Sequence, residues 1–271
     1  MAESTTSTTV TVNPTTTQGT TTTTGINLAT RFVPEVLIEG STASLVVTFP
    51  DGSRAELSWP VDLDLLSGGV TPSAWALVPH RQARDFFIRR GHAEEVVGVF
   101  GSPSLIEEYQ DQSGGKVGLW RPEGWSDVDF LAFEFDSWVV LVYDYRSGEY
   151  GGDPMADEDR QVWVSSLHGR ETEDGFLVLS ADEPLHIAGA GAYPSPMSLT
   201  LWSEEGEMDL VPEVCEAGFI SPTDVINDGD DFSHWCDASG LLSIRIGGPP
   251  TFAQRVHDHL RVSNVQVVGG S

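Results

Sequence analysis

Ser44-Leu45-Val46-Val47-Thr48-Phe49-Pro50-Asp51-Gly52-Ser53-Arg54-Ala55-Glu56-Leu57-Ser58-Trp59 reads as a strand, a tight turn and a returning strand. Apolar and polar side chains alternate at the spacing that sends successive residues to opposite faces, and Asp51-Gly52 supplies turn chemistry. A second stretch has the same form. Ser198-Leu199-Thr200-Leu201-Trp202 turns at Glu205-Gly206 and returns from Met208 to Val211. Both hairpins end at a proline, Pro60 and Pro212, and both pass to a second punctuation at Thr71-Pro72 and Ser221-Pro222.

Working outward, each unit next offers a strand with an Ile-Arg pair, Phe86 to Gly91 and Leu242 to Gly247. A short helix follows each. Ala93, Val96, Val97 and Phe100 fall on one helical face, as do Phe252, Val256 and Leu260. A closing strand begins at Leu105 in the first unit and runs from Val262 to Val268 in the second. Between the units, Phe130 to Phe135 and Trp138 to Tyr145 form a hairpin about Asp136-Ser137. A helix is then expected with Asp153 as cap, Pro154 in its first turn, Trp163, Val164 and Leu167 inward, and its end at Gly169-Arg170. Strands at Phe176 to Ser180 and Leu185 to Ala188 lead into the second unit.

The expected fold class is therefore α+β: mainly antiparallel sheets backed by short helices, internally duplicated into two lobes about a pseudo-two-fold. Residues 1–24 form a Thr-rich tail, disordered because its composition gives too little apolar surface to offset ordering. Residues 25–125 make the first lobe, and 126–271 the second, with the inserted hairpin and helix.

The 271 residues carry a formal charge of -27, and Lys116 is the one lysine. From Glu171 to Ile244, seventy-four residues hold sixteen carboxylates and no Lys or Arg. Such a balance disfavours nucleic acid and anionic membrane surfaces, whose attraction works through Lys and Arg, and favours basic partners. No apolar run reaches the roughly 18 residues of a membrane span, and no basic n-region precedes an apolar core. Cys215 and Cys236 could pair but make no disulfide framework, so a cytoplasmic or otherwise non-exported protein with reduced thiols is expected.

Chemical signatures are missing. There is no phosphate-cradling Gly-rich loop ending in Lys, no G-x-S-x-G, no H-E-x-x-H and no C-x-x-C. His234-Trp235-Cys236 with Cys215, His257 and His259 is the nearest approach to a zinc set, yet two histidines two apart on a helix diverge. Asn227 to Asp231 lacks the register of a calcium loop. No catalytic residue, metal or cofactor is assigned.

The candidates are surface residues. Arg89 and Arg90 could dock an anion or carboxylate, or form structural ion pairs. Trp120, Arg121 and Trp125 are anchor-type residues about a Pro-Gly turn, and core tryptophans would look alike. Glu204, Glu205, Glu207, Asp228, Asp230 and Asp231 form the expected acidic surface. The function these features point to is a non-enzymatic binding protein, possibly immunity-like, that takes a basic protein partner. A structural or assembly component and a carboxylate-dependent hydrolase are the alternatives.

Overall fold

The computed structural model describes residues 31–110, 115–125, 127–146, 153–189, 197–216, 220–221 and 232–268. The Thr-rich tail and Asn227 to Asp231 lie outside them. Strand accounts for 51% of the described residues and helix for 12%, which corrects the α+β expectation to a β-rich fold of mostly antiparallel sheet.

The opening hairpin forms from β2 (Thr42–Thr48) and β3 (Arg54–Pro60). Its turn is closed by Phe49 N–H donating to the Ser53 carbonyl at 2.8 Å, with Gly52 at φ 88°. That left-handed backbone is why Asp-Gly serves there. β1 (Leu37–Glu39) and β18 (Arg261–Gln266) flank the hairpin and complete a four-stranded sheet.

The second hairpin, β13 (Ser198–Trp202) and β14 (Glu207–Pro212), enters a different sheet. That sheet has twelve strands. Along its path it runs β15 (Ile220–Ser221), β16 (Phe232–Cys236), β17 (Leu242–Gly247), β14, β13, β4 (Gly69–Leu77), β5 (Arg84–Arg90), β9 (Trp138–Tyr145), β8 (Val128–Phe135), β7 (Lys116–Pro122) and β6 (Pro103–Gln110), while β12 (His186–Ile187) pairs with β4. The duplication into pseudo-symmetric lobes therefore fails. The two hairpins look alike in sequence but have unlike neighbours: β2–β3 lies between β1 and β18, β13–β14 between β4 and β17. β7 and β8, on either side of residue 126, pair from Lys116↔Glu134 to Trp120↔Phe130. Thr71-Pro72, read as punctuation, is carried inside β4.

One face of the large sheet, the inner face, is covered by the four-stranded sheet, by the hairpin of β10 (Leu167–Glu171) and β11 (Leu177–Ala181), and by two helices, α2 (Asp157–Ser166) and α3 (Pro250–His259). Trp138, Phe133, Ile88, Val140, Leu201 and Ile244 pack here with Phe49, Leu57, Phe176 and Phe252. The other, outer face carries a smaller cluster under α1 (Ala93–Val97), built from Val96, Val97, Phe130, Val139 and Leu141 with Phe87, Phe100, Trp120 and Tyr143 at its margin.

Local expectations shift in three places. Asp153 does not cap α2, whose N-cap is Ala156. Instead the Asp153 N–H donates to Gln82 Oε1 at 2.9 Å. The helix is held by Asp144, a buried carboxylate that accepts from Met155 N–H and Arg160 Nε, both at 2.8 Å. Gly169 does not stop the helix but lies inside β10. A Cβ there would meet the Phe135 ring at 2.5 Å, so close packing, not capping, requires glycine. Cys215 and Cys236, expected as reduced thiols, are joined in a disulfide.

Candidate partner-binding surface

β6 is the last strand of the large sheet, and among the described residues nothing pairs with its outer edge. An unpaired edge presents a row of backbone donors and acceptors. Along this one the side chains are almost all exposed, among them Leu105 at 48% and Ile106 at 47%. A register shift between Leu105 and Glu107 breaks the pairing with β7. Adjacent apolar residues do not by themselves mark such an edge, since β8 and β9 carry longer apolar runs and are buried on both faces. Sequence reasoning used Leu105 only as the start of a strand.

The predicted pair Trp120 and Trp125 lies beside this edge. Trp120 is directly opposite Leu105 in the β6–β7 register. A Cβ on Gly118 would meet Trp120 Nε1 at 2.6 Å and Leu105 Cδ1 at 2.8 Å, so the indole and the leucine close over a bare backbone. Trp125, 42% exposed, stands edge-on to Phe100 with ring centres 5.0 Å apart, and Phe100 in turn packs on Phe130 at 4.8 Å. Phe130 contacts Tyr143 at 5.2 Å. Trp125 is thus the outer end of an aromatic row that runs from Tyr143 of β9 through Phe130 of β8 and Phe100.

A groove of 290 Å³ opens between α1 and β6, with Gly118 and Ala132 as floor, Trp120 and Leu105 as apolar wall, and Glu94, Glu108, Glu134 and Lys116 at the rim. Glu134 Oε1 accepts from the Ala93 N–H at 2.7 Å and so holds the start of α1. Glu107 accepts from Tyr109 at 2.8 Å; burial first, and that bond second, push the phenol up to about 12. Arg121 adds no free cation. Its Nε and Nη2 donate to the two oxygens of buried Asp129, both at 2.8 Å, and the pairing raises its pKa. Arg146 approaches the same carboxylate at 3.5 Å.

The remaining predicted residues lie elsewhere. Arg89 and Arg90 are neighbours in β5 that face opposite sides of the sheet. Arg90 is on the inner face, where it pairs with Glu171 and lies over the Phe32 ring at 4.6 Å. Arg89 is on the outer face, 8% exposed, stacked over Phe87 at 3.9 Å. Arg245, its counterpart in the presumed duplication, is exposed and reaches Glu213 at 3.7 Å. Of the acidic set, Glu204 is exposed, Glu205 is bound to Arg255 at 2.5 Å, and the charge of Glu207 acts on Arg31. Asp228, Asp230 and Asp231 lie outside the described residues. Exposed carboxylates are thus not confined to the C-terminal half, since Glu94, Glu95, Glu108 and Glu123 are exposed as well. The residues once considered for zinc are otherwise engaged: His234 Nε2 meets Ser243 Oγ at 2.5 Å, and the His257 ring stands against Trp235 at 5.0 Å.

No helix among the described residues is long and apolar enough to cross a membrane. No protein-family model and no curated protein matches the chain. Among solved structures, MucB in complex with MucA(peri) is 11% identical over 82% of this chain and 87% of that one, with a TM-score of 0.19. The Pseudomonas aeruginosa MucA/MucB complex is 10% identical over 82% and 88%, with the same TM-score of 0.19. A likeness of that size carries no argument about fold or function.

Proposed function

We propose that this chain is a non-enzymatic binding module for a basic protein partner, and that an extended segment of the partner adds to β6. The observation that carries this is the coincidence on one edge of unpaired backbone, exposed Leu105, Ile106 and Trp125, and an acidic rim. Strand addition takes its affinity from main-chain hydrogen bonds and its selectivity from side-chain seats. Here the seats are Leu105, Trp120 and Trp125. The rim selects sign: Glu94, Glu108 and Glu134 stand with Lys116 around the groove, while Arg121 is already neutralised by Asp129. A second copy of this chain, with a charge of -27, is repelled where a cationic segment is drawn in.

The test uses a labelled decapeptide of alternating Lys and Val, with a Glu-Val decapeptide as control. The cationic peptide is expected to bind, to weaken as salt rises, and to shift the backbone amide signals of Ser104 to Glu108. Leu105→Ala, Ile106→Ser and Trp125→Ala should each weaken it by about 10-fold, the size expected of interface anchors. Equal binding of both peptides, or affinity unmoved in all three variants, rules the proposal out.

A further inference from the structure

The side of the four-stranded sheet turned away from the core carries a second groove, independent of the β6 edge. Side chains directly opposite one another in a ladder share a face, as do residues two apart on a strand. The register sets Leu37 of β1 opposite Ser44 of β2, and Val46 of β2 opposite Glu56 of β3. These four therefore stand together, while Leu45 and Leu57 turn into the core. Leu37 is 46% exposed and Val46 39%.

The turn between β10 and β11 borders the same groove. Thr172 pins it: its N–H donates to the Phe176 carbonyl at 2.7 Å, its carbonyl accepts from Gly175 N–H at 2.9 Å, and its Oγ1 accepts from Phe176 N–H at 3.0 Å. Glu173 and Asp174 are thereby held at the tip. Together these elements line a space of 380 Å³, apolar at Leu37, Val46 and Phe176 and acidic at Glu35, Glu56, Glu173 and Asp174. No Lys, Arg or His lines it. Arg54 meets Asp174 at 3.4 Å, and Glu56 accepts from the neutral Asn264 amide at 2.6 Å. Glu35 and Glu173 are exposed, and no cation of the described residues is paired with either. An apolar floor under unbalanced carboxylates suits a side chain whose stem is aliphatic and whose head is cationic. A second copy of this chain, with forty-one acids against fourteen bases, is repelled, as is an anionic membrane surface.

We propose that this groove docks a flexible segment of a cationic protein in which Lys or Arg is flanked by aliphatic residues. The aliphatic side chains seat on Leu37 and Val46, and the charged head reaches Glu35 and Glu173. These contacts are made by side chains, so they need no main-chain donor, unlike strand addition at β6.

A labelled acetyl-Leu-Lys-Leu-Lys-Leu amide, N-methylated at every peptide bond, tests this on the full chain, because it lacks the N–H groups that strand addition requires. Saturable binding that weakens as salt rises is expected, with shifts in the backbone amide signals of Leu37, Val46 and Glu173. Replacing every leucine of the peptide by serine keeps its charge and should weaken binding by about 10-fold. Leu37→Ser and Val46→Ser, both at exposed positions, should each weaken it by about 5-fold, as should Glu35→Gln and Glu173→Gln combined. Leu105→Ala, on β6, should leave it unchanged. The proposal is overturned if the leucine peptide does not saturate, if the serine peptide binds equally well, or if Leu105→Ala weakens binding while Leu37→Ser does not.

Discussion

The inner and outer faces of the large sheet are made by the same strands and obey different economies. On the inner face Trp138 is fully buried, its Nε1 donates to the Gly175 carbonyl at 3.1 Å, and Arg90 is bound to Glu171. On the outer face Trp125 ends an aromatic row half in solvent, and Arg89 is covered with no carboxylate paired to it among the described residues. One residue's step along β5 carries an arginine from the first situation to the second. A buried Nε lacks a partner on both arginines, so what separates the faces is the carboxylate that Arg90 has and that Arg89 lacks among the described residues.

The sharpest way to break that contrast is to truncate one tryptophan on each face. Trp138→Ala should cost about 3–5 kcal/mol in denaturant unfolding, the range for a large core aromatic. Trp125→Ala should cost less than about 1 kcal/mol, because much of its surface is already wet. Similar losses at both positions would erase the distinction.

The paired arginines give a smaller effect with opposite signs. Arg90→Met leaves Glu171 without its cation and should cost about 1–2 kcal/mol. Arg89→Met removes a desolvated charge and keeps its apolar stem, so Tm should hold or rise by up to about 3 °C. Thermal unfolding of both variants in anion-free buffer decides it, and a large loss at Arg89 would show that a counter-ion already serves it.

The smallest effect is a matter of pH. Desolvation raises the carboxyl of Asp85 above its ordinary value, with Phe87 next on the same outer face. A raised acid favours folding while protonated, so this contribution is full below the unfolded carboxylate range and is lost as pH rises through the folded value. Asp85→Asn should therefore raise Tm at pH 7 by less than about 2 °C, since solvent screens the group, with the gain vanishing near pH 3. A gain that persists in acid would assign it to something other than the charge.

Much of the local structure was legible. The hairpins at Ser44 and Ser198, the paired runs about Asp136-Ser137 and three short helices follow from spacing, although Phe100 and Leu167, expected on helical faces, lie beyond the ends of α1 and α2. What misled was the recurrence of similar units. Ile-Arg occurs in both β5 and β17, yet Arg89 is covered between β4 and β9 while Arg245 is exposed on β17 and reaches Glu213. Trp120 and Trp125 were legible as anchor types, but their position beside an unpaired edge was not, because nothing in β6 itself says that it is last in the sheet. Asp153 carried a capping signal that Asp144, on another strand, made unnecessary.

Alternation along each segment determined which residues share a face, because extended backbone allows little else. Composition determined the sign of the surface, because there are too few Lys and Arg to balance the acids. Which strand lies beside which was decided only when distant segments met: β18 on β3, and β13 on β4. Backbone hydrogen bonds between strands are nearly indifferent to side-chain identity, so the choice among partners rests on how whole faces pack. Among the described residues, that same packing left β6 open and Arg89 without an acid.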